Sequence, residues 1–116
     1  MASNVTGLDK LLKKLSNIAG NKAIMKGIEK GALRVESTAK ENCPVDEGLL
    51  RASIDHKLNP GSLNATVFSN VKYAPYVEFG TVKMRAQPYM YPALTSNKDK
   101  IKQDIIQAVR NEIGGV

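Results

Sequence analysis

The chain has 116 residues, 42% hydrophobic and 24% charged, and its 17 Lys and Arg against 11 Asp and Glu give a net charge of +6. That length suits one globular domain, and no apolar run approaches the roughly 18 residues that cross a bilayer. A single cysteine, Cys43, and a single histidine, His56, exclude an intrachain disulfide and a histidine-rich metal cluster.

In chain order, residues 1–6 show no structural pattern and are expected to be a disordered lead-in to one domain over 1–116. They contain no basic stretch followed by an apolar one, so cytoplasmic synthesis is expected. Leu8, Leu11, Leu12 and Leu15 recur at helical spacing and predict a first helix over 7–18, broken at Gly20-Asn21. A second helix is predicted over 22–42, with Ile24, Ile28, Val35 and Ala39 on one stripe and a Glu36/Lys40 pair on its surface. Gly27 and Gly31 lie within it, each unfavourable by about 1 kcal/mol relative to alanine. They are expected to mark a close packing contact. Pro44 ends the helix, because the residue before a proline is pushed out of the α region.

Asp46 and Glu47 stand beside Gly48 in a turn, where Asp46 is expected to cap the next segment. Leu50, Ala52, Ile54 and His56 alternate with Arg51, Ser53, Asp55 and Lys57, which predicts a strand. Asn59-Pro60-Gly61-Ser62 is a turn, and residues 63–68 alternate again, giving an antiparallel hairpin. Tyr73 to Phe79 predicts a short helix with Pro75 in its first turn. Tyr76 and Phe79, three apart, would then share a face and anchor the core, with Glu78 turned to a polar neighbour or partner. Thr81 to Gln87 is expected to be a basic loop that is flexible until a partner orders it. Tyr89 to Tyr91 is expected to add a short strand. Ser96-Asn97-Lys98-Asp99 opens a last helix along Ile101, Ile105, Ala108 and Val109, broadened by Ile106 and Ile113 and stopped at Gly114-Gly115. The fold class is α+β, with N-terminal helices and a C-terminal helix packed on a small antiparallel β-sheet.

Two runs, 73–81 and 86–94, hold five of the six aromatic residues and three of the five prolines. Rings bring large contact area at low rotamer cost and prolines stiffen the backbone, so this region reads as a rigid joint or contact surface. Groups for catalysis are sparse. His56 falls at a strand end among polar residues and reads as an ordinary exposed histidine. Cys43 sits at a helix C-terminus, where the dipole disfavours a thiolate. No phosphate-cradling loop, metal-ligand set or cofactor motif is present, and no enzyme activity is expected. The basic residues, Lys10, Lys13, Lys14, Lys22, Lys26 and Lys30 among them, are spread over helix faces that read as solvated surface.

Three segments resemble one family. Cys43-Pro44-Val45-Asp46-Glu47-Gly48-Leu49-Leu50-Arg51-Ala52-Ser53-Ile54, Tyr73-Ala74-Pro75-Tyr76-Val77-Glu78-Phe79-Gly80-Thr81 and Ala86-Gln87-Pro88-Tyr89-Met90 with Pro92-Ala93-Leu94 are similar, in order and spacing, to blocks of small neck proteins of tailed bacteriophages and prophages. The likeness extends over about residues 7–113. Cys43 stands where that family more often has alanine before the proline, another small residue that packs in the same space. The resemblance implies a non-enzymatic head–tail joining or tail-completion protein without cofactor. It would work as a homo-oligomeric ring that contacts portal-side connector and tail proteins and touches passing DNA non-specifically, with no membrane partner. Its place would be the host cytoplasm during assembly and then the neck or tail of the virion. The motif residues, and the interface they imply, are Pro44, Asp46, Gly48, Leu50, Arg51, Ser53, Tyr73, Pro75, Tyr76, Glu78, Phe79, Gly80, Thr81, Lys83, Arg85, Gln87 and Pro88. The reading from a different class is a small basic nucleic-acid-binding protein, which needs its lysines on one face and a steep salt dependence of binding. A small toxin nuclease ranks third, for want of acid–base groups.

Overall fold

The computed structural model describes residues 20–114; the helix expected over 7–18, the lead-in 1–6 and Gly115 lie outside them. Within that span the elements run α1 (Asn21–Asn42), α2 (Gly48–Ser53), β1 (Asp55–Asn59), a 3-10 turn (Pro60–Ser62), β2 (Asn64–Phe68), α3 (Ala74–Phe79), α4 (Met90–Ser96) and α5 (Lys98–Gly114). The class is α+β, as expected. The molecule is elongated, 53 × 23 × 22 Å, and α1, 22 residues or about 33 Å long, is the element along which the two cores form.

The stripe read from the sequence is the buried face of α1: Ile24, Ile28, Val35 and Ala39 are all in the core, with Gly27 and Gly31 between them. The glycines are where α5 crosses. A Cβ at Gly27 would lie 2.5 Å from the backbone Cα of Ile105 and 3.1 Å from the Asp104 carbonyl; one at Gly31 would lie 3.0 Å from the Ile101 side chain. Two helix backbones approach this closely only where one presents no side chain. Asp104, itself buried, then receives Arg34 across the crossing through both carboxylate oxygens, with Lys30 3.8 Å from one of them. Ile24, Ile28, Ile105 and Val109 close this end of the core.

The second core lies further along α1 and gathers Val35, Ala39 and Cys43 with Leu50, Ile54, Ala74, Val77, Tyr89, Met90 and Ala93. Its buried Cys43 matches the expectation of a small packed residue at that position.

The hairpin pairs β1 with β2 antiparallel, His56 opposite Val67. Its first strand is shorter than expected. Residues 48–53 are helix, because Leu50 and Ile54 are also four apart, and those two are the buried ones. A run of alternating residues this short fits both periods, and packing chose the helix. The strand expected at Tyr89–Tyr91 is instead the start of α4. Glu36 reaches His56 rather than Lys40. Asp46 is exposed and caps nothing: Glu47 holds the N-cap position of α2, with no side-chain bond to the helix. Asn97 does precede α5, its carbonyl accepting from Ile101 N–H at 2.8 Å. Its side chain, however, donates to Ala93 O and Thr38 Oγ1 and so ties α4 to α1.

Candidate functional site

The aromatic–proline region is organised by Glu78. Helix α4 has no residue of its own to cap it: Tyr89 stands at the N-cap and makes no side-chain bond. The opening N–H groups of a helix lack intrahelical acceptors and must find others. Glu78, only 3% exposed, supplies them from α3. Its Oε1 accepts from Tyr89 N–H at 3.1 Å and Met90 N–H at 2.8 Å, and its Oε2 accepts from Tyr91 N–H at 3.1 Å. The next residue is Pro92, which has no N–H to satisfy. One carboxylate and one proline therefore account for the whole first turn, and the positive end of the helix dipole faces the negative charge. Glu78 was expected to meet a polar neighbour or partner. The neighbour is the backbone of its own chain.

The chain between the two helices is fixed at both ends. Gly80, at φ +77°, accommodates the turn out of α3; a Cβ there would lie 2.7 Å from Ala86 N and 2.9 Å from Met84 O. Thr81 and Met84 bond each other's backbone, and Thr81 Oγ1 accepts from the N–H groups of Lys83 and Met84. Gln87 N–H donates to Val77 O at 2.8 Å. The loop expected at 81–87 carries backbone bonds at both ends, with Thr81, Lys83, Arg85, Gln87 and Pro88 all exposed on it.

Holding α3 by its glutamate reverses the expected orientation of its rings. Val77 and Glu78 face in, whereas Tyr76 is 57% and Phe79 69% exposed. The buried aromatic of this region is Tyr89, whose hydroxyl is pushed up to about 12 by burial, with the charges of Glu78 and Cys43 adding to it. Burial likewise raises the Cys43 thiol, so it is a packed group and not a nucleophile.

The remaining motif residues divide the same way. Leu50 is fully buried; Arg51 donates to Cys43 O at 3.3 Å; Ser53 shares a 2.6 Å hydrogen bond with Ser69 and donates to Leu50 O. Pro44 and Tyr73 are half-buried, and burial together with Glu47 raises the Tyr73 hydroxyl. Asp46, Gly48 and Pro75 are exposed. Val45, Leu49, Val82, Met84 and Tyr91 are exposed as well, so seven of the nine exposed large hydrophobics among the described residues fall between 45 and 91. Val45, Leu49, Val82, Met84 and Tyr91 escaped the sequence reading. The missed signal was an uncapped helix beginning at Met90 downstream of a glutamate flanked by Val77 and Phe79.

The arrangement is a set of exposed apolar side chains beside a buried carboxylate that already serves the backbone. Its acid, Glu78, is engaged by backbone N–H groups, and its exposed residues include apolar Tyr76, Phe79, Val82 and Tyr91 and basic Lys83 and Arg85. A family model described as "Bacteriophage HK97-gp10, putative tail-component" matches residues 7–80. No curated protein matches the chain. Neither does any solved structure.

Proposed function

This chain belongs to the HK97-gp10-like family of bacteriophage tail components, and on that premise we propose that it is a non-enzymatic building block of the head–tail connection, working as an oligomeric ring. One observation carries the reading: exposed apolar side chains, Tyr76, Phe79, Val82 and Tyr91, are mounted on backbone that is hydrogen-bonded by the Glu78 cap and the Thr81–Met84 turn. Exposed apolar groups are a cost in water, and their usual occupant is another protein. A stiff mount lowers the entropy lost on docking. In a closed ring each subunit offers this surface to the next. Lys83 and Arg85 stand exposed on the same turn, suited to a neighbouring acidic subunit or to DNA passing through.

Two features weigh against a nucleic-acid-binding protein. Lys30 and Arg34 are drawn to Asp104, and Arg34 is held more firmly protonated by it. The exposed groups beside the Glu78 cap, Tyr76, Phe79 and Tyr91, are aromatic rather than basic. Gold-labelled antibody on intact virions tests the proposal: label at the head–tail junction supports it, and label confined to the distal tail or absent from particles overturns it.

A further inference from the structure

The three groups that meet at the edge of the hairpin have no part in the assembly surface. Glu36 comes from the middle of α1, and Asp55 and His56 open β1, twenty residues along the chain. His56 Nδ1 lies 3.2 Å from Glu36 Oε1 and 3.8 Å from Asp55 Oδ1, and the three ligand atoms all fall within 4.8 Å of one another. We propose that Glu36, Asp55 and His56 form a binding site for a divalent transition-metal ion of the zinc class, clamping the hairpin to α1.

The geometry favours this over a simple ion pair. Two ligands each about 2.0–2.1 Å from a tetrahedral ion stand about 3.3 Å apart; the His56–Glu36 spacing of 3.2 Å matches this, and the His56–Asp55 spacing of 3.8 Å needs only a small side-chain shift. A ring nitrogen carries one proton at most, yet two carboxylate oxygens converge on this one; a dication satisfies both at once. The site is also partly preformed. Asp55 Oδ1 accepts the His56 backbone N–H at 2.8 Å, which fixes its rotamer. The Glu36 side chain is only 16% exposed, so its carboxylate is largely stripped of water before any ion arrives. One imidazole with two carboxylates is a nitrogen–oxygen set that suits zinc and its neighbours rather than magnesium or calcium. Three protein ligands leave a fourth position to water. A search of the sequence for histidine clusters passes over such a site, because the third ligand comes from a separate helix.

Zinc chloride titrated calorimetrically into the full chain is expected to bind one to one. At a hundredfold excess over the dissociation constant it should raise the melting temperature by about 5 °C or more, reversibly with EDTA. His56→Asn and Glu36→Gln should each weaken binding at least tenfold. Cys43→Ser should bind like the parent chain, which separates this site from the lone thiol. No calorimetric binding to the parent chain overturns the proposal, as does undiminished binding in His56→Asn. Should either variant fail to fold, Asp55→Asn decides: its side chain is 68% exposed, and unchanged zinc affinity there also refutes the site.

Discussion

The two ends of α1 solve opposite problems. Near Asn21 the helix meets α5 through Gly27 and Gly31, and what matters is what the side chains leave out. Near Asn42 it meets α2, α3 and α4 around Leu50, Val77 and Tyr89, and what matters is one buried charge, Glu78, which completes another helix. The first contact is periodic, a stripe of apolar residues and glycines with the Arg34–Asp104 pair beside it. The second is not periodic: beside its apolar cluster it depends on a residue reaching a turn eleven to thirteen positions away. The lesson is that clustered aromatics do not by themselves mark a core. Here a glutamate takes the interior and Tyr76 and Phe79 are turned outward.

The largest expected effect breaks the end that Glu78 completes. Glu78→Ala leaves three backbone donors without an acceptor, two of them buried, and should destabilise by about 3–5 kcal/mol. Because Cys43 is the only cysteine and packs in the same core, its labelling rate reports the opening directly. Native chain should label slowly and Glu78→Ala much faster; equal rates would mean the cap does not hold this end closed.

Next comes the glycine crossing. Gly27→Ala forces α1 and α5 apart at a backbone contact. An overpacking loss of about 2–3 kcal/mol is expected even after the gain in helix propensity, read by urea denaturation. A stabilised variant would show that the crossing has slack.

A third test uses pH. The Tyr89 hydroxyl is held near 12 in the folded chain and titrates near 10 when unfolded. The fold therefore binds that proton more tightly, and the stability it contributes is whole below about pH 10 and lost as pH rises through about 12. Melting temperature should fall steeply across that window, and less so in Tyr89→Phe. An identical fall in both would place the alkaline loss elsewhere.

The smallest effect on stability is at Phe79. With its ring 69% exposed, Phe79→Ala should change the unfolding free energy by less than about 1 kcal/mol, against the several expected of a core phenylalanine. Incorporation into phage particles should nevertheless drop. A fold weakened as a core site would be, or normal incorporation, would each count against the outward-facing role.

Sequence by itself determined the long elements and the first core. Residues 22–42 and 98–113 repeat apolar groups at helical spacing over several turns, and glycines four apart inside such a stripe have few uses other than a close crossing. The hairpin turn at 59–62 and the helix opened by Pro75 were also legible, because proline and glycine act on their own backbone. Three local features were not. Leu50 to Ile54 fits a strand or a helix equally over so short a run, and burial of both residues against α1 selected the helix. Tyr89 to Tyr91 reads as strand until Glu78 supplies the acceptors a helix needs there. The rings of Tyr76 and Phe79 point outward only because Glu78, between them in the chain, is held inward by α4. Each of these depends on a partner distant along the chain, and one-dimensional spacing carries no term for it. The meeting of Glu36 with Asp55 and His56 is of the same kind: α1 and the hairpin had to pack before those three side chains shared a site.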